Sequence, residues 1–99
     1  MIANTVNRIE DWYGRMCDGD WEHTYGIRID TLDNPGWCVH IDLAQTPLEE
    51  RRFDEVRTER SDKNWVQCEV NNMKLTGHGG PGNLQEILEI FLAWESAID

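Results

Sequence analysis

Between residues 25 and 43 the chain alternates apolar and polar side chains twice, with a run of turn formers in between, and few architectures accommodate that pattern. Tyr25, Ile27 and Ile29 alternate with Gly26, Arg28 and Asp30, and then Trp37, Val39, Ile41 and Leu43 alternate with Cys38, His40 and Asp42. A period of two belongs to a strand with one buried face. Asp33-Asn34-Pro35-Gly36 joins the two runs, so they fold back on each other as a β-hairpin. With the apolar set turned to the core, Arg28, Asp30, Cys38, His40 and Asp42 share the opposite face, because the pleat separates neighbours. That face is the first candidate for contact with a partner.

A hairpin alone cannot bury its apolar side, and the rest of the chain supplies cover. Ile2, Val6, Ile9, Tyr13 and Met16 recur at steps of three and four, the stripe of a helix that runs to about Asp18 and that Gly19 ends. Residues 44–50 form a polar connection containing Pro47. Residues 52–59 alternate imperfectly around Phe53 and Val56, which predicts a strand with a bulge. Ser61-Asp62-Lys63-Asn64 supplies a turn, and residues 65–71 read as a strand with Val66, Cys68 and Val70 on one face, extended through Met73 and Leu75. Gly77-His78-Gly79-Gly80-Pro81-Gly82 reads as a breaker. Asn83 stands three residues before Glu86, a capping-box spacing, and Leu84, Ile87, Leu88, Phe91 and Leu92 form the apolar face of a closing helix. The order predicts an α+β fold: an antiparallel four-stranded sheet with an N-terminal and a C-terminal helix (α-β-β-β-β-α). Two helices then cover one face and leave the other partly open.

Ninety-nine residues support one core, and no linker or repeat divides them, so residues 1–99 are expected to form a single domain. Five tryptophans and a 39% hydrophobic content give enough apolar surface to fold despite a net charge of −10. That charge repels nucleic acid and anionic membranes and favours cationic partners. No apolar run approaches the roughly 20 residues that span a bilayer, and Met1-Ile2-Ala3-Asn4 opens into polar sequence, so a cytoplasmic location is expected. Cys17, Cys38 and Cys68 are odd in number and form no CxxC pair, which points to free thiols.

The acidic excess is uneven. Residues 10–42 carry eight acids and two bases, whereas residues 43–64 carry six and five. Arg51, Arg52, Arg57 and Arg60 beside Glu49, Glu50, Asp54, Glu55 and Glu59 are expected to form solvated cross-strand pairs of small net value. Asp11, Asp18, Asp20, Glu22, Asp30, Asp33 and Asp42 are the groups that would draw a basic partner. Each also has a structural use: Asp33 can cap its own turn, and Asp18 and Asp20 can fix the helix exit.

Catalytic chemistry finds little foothold. His23, His40 and His78 lie in separate segments without HxH or HExxH spacing, so no metal is expected. Asp30 and Asp42 could flank a glycosidic bond, but carboxylates on an open sheet lack the enclosure that shifts their pKa. The glycine run around His78 has neither a Walker nor a GxGxxG pattern, and no cofactor is expected. Trp12, Trp21 and Trp65 flank the apolar stripes; core packing is the expected use of such residues, and partly exposed interface anchoring is the alternative that makes them candidates. The partner-binding candidates are therefore Asp18, Asp20, Trp21, Glu22, Asp30, His40, Asp42 and Trp65.

Asp11-Trp12-Tyr13, Cys17-Asp18-Gly19-Asp20-Trp21-Glu22-His23, Tyr25-Gly26-Ile27 and Thr31-Leu32-Asp33-Asn34-Pro35-Gly36-Trp37, with the closing segment 83–92, resemble the immunity protein 53 family of bacterial polymorphic-toxin systems. The Arg-rich segment 49–63 contributes little to the likeness. The resemblance implies a non-enzymatic antidote that binds a cognate protein toxin and protects the cell that makes it. A basic nuclease cleft is one target an acidic inhibitor suits. A small acidic adaptor without a toxin partner and, behind it, a small hydrolase are the alternatives.

Overall fold

The computed structural model describes residues 4–97. Their elements are α1 (Thr5–Met16), α2 (Trp21–Thr24), β1 (Ile27–Leu32), β2 (Gly36–Asp42), β3 (Val56–Ser61), β4 (Asn64–Asn71), β5 (Lys74–Gly79) and α3 (Leu84–Glu95). The sheet is antiparallel with five strands in the order β1-β2-β5-β4-β3, one strand more than the sequence predicts. No helix among the described residues is long and apolar enough to cross a membrane.

The additional strand is the central one. Residues 72 and 73 do not extend β4 but reverse it: Asn72 and Met73 have φ of 53° and 56°, the left-handed pair of a two-residue hairpin turn. Leu75, Gly77 and Gly79 then face the core while Thr76 and His78 face the other way. The run read as a breaker is half strand, because α3 lies against it: a Cβ on Gly77 would collide with the Ile87 side chain and meet Cys68 Sγ at 3.3 Å. Glycine here admits a helix at close range rather than interrupting a strand.

α1 starts where Asn4 Oδ1 accepts the Asn7 N–H at 2.8 Å, and the expected first turn at Ile2 lies outside the described residues. It ends at Met16, two residues before the expected Asp18, because Asp18 begins the next turn: its Oδ1 accepts the N–H groups of Asp20 and Trp21 at 2.9 and 2.8 Å. The short α2 that follows places Trp21 inside. Trp12 and the partner-binding candidate Trp21 are 1% and 2% exposed, so of the two uses the sequence allows them, core packing and interface anchoring, the structure takes core packing. Trp12 meets Trp21 and Phe91 edge-on with centroids at 6.1 and 4.9 Å, and the Trp21 indole N–H donates to the Ala44 carbonyl at 2.9 Å. These contacts, with Val39, Ile41, Leu43, Val66, Leu75, Ile87 and Leu92, form one core beneath α1 and α3.

The arginines also depart from expectation. Arg52 pairs with Asp54 and Arg57 with Glu55, two residues apart on the same segment rather than across strands. Arg51 instead donates to the carbonyls of Trp94, Glu95 and Ala97, at and just past the end of α3. Residues 52–55, expected in a strand, lead into β3, and the predicted bulge falls at its end, between Glu59 and Ser61. Asn83 precedes α3 as expected, yet its side chain does not cap the helix. It reaches sideways, accepting from the Trp65 N–H at 3.3 Å and donating to Asn64 Oδ1 and Glu86 Oε1 at 3.0 and 2.9 Å.

Candidate partner-binding surface

Both long helices pack on the side of the sheet that carries Val39, Ile41, Leu75, Val66 and Cys68. The register places Arg28, His40, Thr76 and Glu69 side by side on the opposite face, followed by a second row of Asp30, Cys38, His78, Gln67 and Arg57. Asp42 and Lys74 extend this face at one end, and Glu59 and Trp65 at the other. The five hairpin residues expected to share a face therefore do. β4 and β5 add the groups that the sequence did not assign to it, because the glycines of β5 disguised the alternation of Lys74, Thr76 and His78.

Charge on this face is nearly balanced. Asp30, Asp42, Glu59 and Glu69 stand among Arg28, Arg57 and Lys74, so the hairpin is less acidic in its setting than its sequence suggests. Asp42 is also engaged: Oδ2 accepts the Gly26 N–H at 2.9 Å, and Oδ1 lies 3.9 Å from Lys74 Nζ.

A local cluster of negative charge sits next to the sheet, on the α1–α2 connection. Glu22 accepts from the N–H groups of Asp18 and Gly19 at 3.0 and 2.9 Å, reciprocating the bonds that Asp18 makes forward. Backbone donors hold both carboxyls below their ordinary pKa. For Asp18 these are chiefly the Trp21 and Asp20 amides, and for Glu22 its own amide with those of Asp18 and Gly19. Both groups therefore stay ionised through the neutral range, with Asp20 exposed between them. A cleft of about 450 Å³ joins this connection to the sheet, lined by Glu22, His23, Tyr25, Arg28, His40, Asp42 and Lys74 among others. Glu22, His40 and Asp42 thus meet at one site, with Asp30 further along the same face. Trp65 is half-buried at the far end, where a second open cleft of about 510 Å³ runs past Glu59, Arg60, Asp62 and Gln67.

The face offers poor geometry for catalysis. Asp30 lies opposite Cys38, four residues along β2 from Asp42, which separates the carboxylates by roughly 13 Å. A glycosidase pair needs about 5–9.5 Å. Cys38 Sγ is 3.3 Å from His40 Nε2, and His40 Nδ1 is 3.3 Å from Thr76 Oγ1. Burial and the charge of Asp30 push the Cys38 pKa up, the reverse of what a thiolate nucleophile requires. Among the described residues no three His, Cys, Asp or Glu side chains gather as a metal-binding group.

Comparison with known proteins gives one assignment. The family model described as immunity protein 53 matches residues 6–96. No curated protein and no solved structure matches the chain.

Proposed function

The chain belongs to the immunity protein 53 family, and from that membership we propose that it neutralises a cognate bacterial toxin by direct binding across the helix-free face of its sheet. The observation that carries this reading is the meeting of the acidic α1–α2 connection with that face at the cleft of Glu22, His40 and Asp42. Asp18, Asp20 and Glu22 supply a local negative field that speeds encounter with a cationic partner, and the mixed rows behind them supply hydrogen bonds and paired charges once contact is made. Asp30, His40 and Asp42 extend the contact, and the half-buried Trp65 anchors its far end. Trp21 takes no part, since its side chain is core. A nuclease with a basic substrate cleft is the toxin class that such a surface suits.

The test takes the product of the adjacent gene as the candidate toxin. Co-expression is expected to restore growth, and purified toxin is expected to bind with an association rate that falls as salt rises. Asp20→Lys should slow association at least tenfold at low salt, and Trp65→Ala should speed dissociation. Tight binding indifferent to both changes would move the interface elsewhere and leave the immunity role standing. Absence of binding and protection would favour the adaptor reading.

A further inference from the structure

The two edges of the sheet are built differently. β3 carries Arg57 and Glu59, and a bulge breaks its register between Glu59 and Ser61, features that discourage strand pairing. β1 pairs with β2 without a register shift, and residues 28–31 are all exposed, Ile29 by 44%.

The hydrogen-bond phase of β1 follows from one bond. The Asp42 N–H donates to the Gly26 carbonyl at 3.1 Å, in the register that also pairs Arg28 with His40 and Asp30 with Cys38. Hydrogen-bonded pairs alternate along an antiparallel ladder, so Arg28, Asp30 and Leu32 direct their backbone groups inward to β2. Ile27, Ile29 and Thr31 direct theirs outward, to the free edge.

We infer that this edge pairs with β1 of a second copy of the chain, antiparallel about a two-fold axis at Ile29, to join two five-stranded sheets. In that register Ile29 meets its own copy in a hydrogen-bonded pair, and Ile27 meets Thr31 of the second copy in another, so every outward amide and carbonyl of Ile27, Ile29 and Thr31 finds a partner. Arg28 then lies directly opposite Asp30 of the second copy, and Asp30 opposite its Arg28. These are non-hydrogen-bonded positions, where side chains stand closest. The sequence Ile-Arg-Ile-Asp-Thr is thus self-complementary in charge at the one register that its backbone phase permits about this axis. On the helix-bearing side the same axis brings each exposed Ile29 side chain against the other. An isologous contact of this kind closes on itself and adds no further strands. It leaves most of the polar face of both sheets uncovered but shares Arg28 and Asp30 with the proposed toxin surface, so the pairing is tested in the absence of toxin.

Sedimentation equilibrium and light scattering on the whole chain without toxin test the pairing. The wild type is expected to show twice the chain mass at tens to hundreds of micromolar. Arg28→Asp places like charges opposite each other twice in the dimer and should weaken it at least tenfold, whereas Arg28→Asp with Asp30→Arg restores opposite charges and should restore the mass. Ile29→Pro removes an outward N–H that β2 does not use, so the variant should keep its circular dichroism spectrum and become monomeric. A wild type that stays monomeric throughout, or a dimer unmoved by Arg28→Asp and Ile29→Pro, overturns the inference. So does a wild-type monomer whose Ile29 and Thr31 amides gain exchange protection only on adding toxin, which would assign the edge to the toxin.

Discussion

Glu86 on α3 accepts from both terminal nitrogens of Arg60 on β3, at 3.0 and 2.7 Å, and from the Asn83 amide at 2.9 Å. The two-pronged pair ties an edge strand to the helix that covers the sheet, and it holds the Glu86 carboxyl below its ordinary pKa, with Arg60 the main cause and Asn83 the second. A carboxyl whose folded pKa is depressed contributes stability above its unfolded pKa, and that contribution is lost as pH falls through the folded value. Glu86→Gln is therefore expected to lower Tm by a few degrees at pH 7. The gap to wild type should close as pH drops below the ordinary Glu value of 4.5. Thermal melts of both proteins across pH 2–7 check the direction.

Gly77 is where α3 comes nearest to β5. Gly77→Ala inserts a methyl group into Ile87 beside Cys68 Sγ, and overpacking of this kind costs about 1–3 kcal/mol. Ile87→Ala removes the obstructing carbon at its own cost of about 2–5 kcal/mol. Because both changes act on one contact, the double variant should be more stable than the sum of the single losses by about 1 kcal/mol or more. Urea denaturation of the four proteins measures the coupling.

That contact also explains why the central strand was illegible. In a bare sequence a glycine that lets a helix approach is indistinguishable from one that ends a strand, and Gly77 and Gly79 alternate with His78 inside a run whose remaining members, Gly80, Pro81 and Gly82, do form a turn. The hairpin was readable because Val39 and Ile41 repeat every second residue and Asp33-Asn34-Pro35 has one local meaning, and so the membership of Arg28, Asp30, Cys38, His40 and Asp42 on one face followed. The charge of that face did not follow, because Lys74 arrives on the strand hidden by the glycines. The burial of Trp21 is less legible for another reason: no apolar stripe surrounds it, and its place depends on Asp18 folding a turn that swings the indole against Ala44.

The reversal at residues 72–73 is a second point the sequence conceals, since a two-residue turn with both φ positive ordinarily carries Asn-Gly. Met73 occupies the glycine position at φ 56° and is 47% exposed, so its side chain gains little packing in return. Met73→Gly should relieve the left-handed strain and stabilise the fold by about 0.5–1 kcal/mol. A rise in the urea midpoint at constant m-value would verify it.

Trp21 separates core from interface. Trp21→Phe keeps an aromatic ring beside Trp12 and Tyr25 but strands the buried Ala44 carbonyl, with an expected loss of about 1.5–3 kcal/mol. Toxin affinity measured at a temperature where the variant is fully folded should match wild type. A selective loss of affinity at undiminished stability would return Trp21 to the interface.

The thiols give a pH signature of the opposite sign to that of Glu86. Burial, aided by the charge of Glu86, pushes the Cys68 pKa from 9.0 up to about 12. A raised folded pKa means that the native state holds its proton where the unfolded chain has released it. The stability from this group is then complete below the unfolded value and drains away as pH rises through the folded one. Wild type should lose stability relative to Cys68→Ala between about pH 9 and 12, by no more than about 1.4 kcal/mol per pH unit. Below pH 8 the two should differ by a constant offset, the cost of the small cavity left beside Gly77 and Ile87. Every other ionisable group is common to both proteins and cancels in the difference. Alkylation supplies an independent reading at pH 8: the half-buried Cys17 should react in the native protein, while Cys68 should react only at the rate of global unfolding.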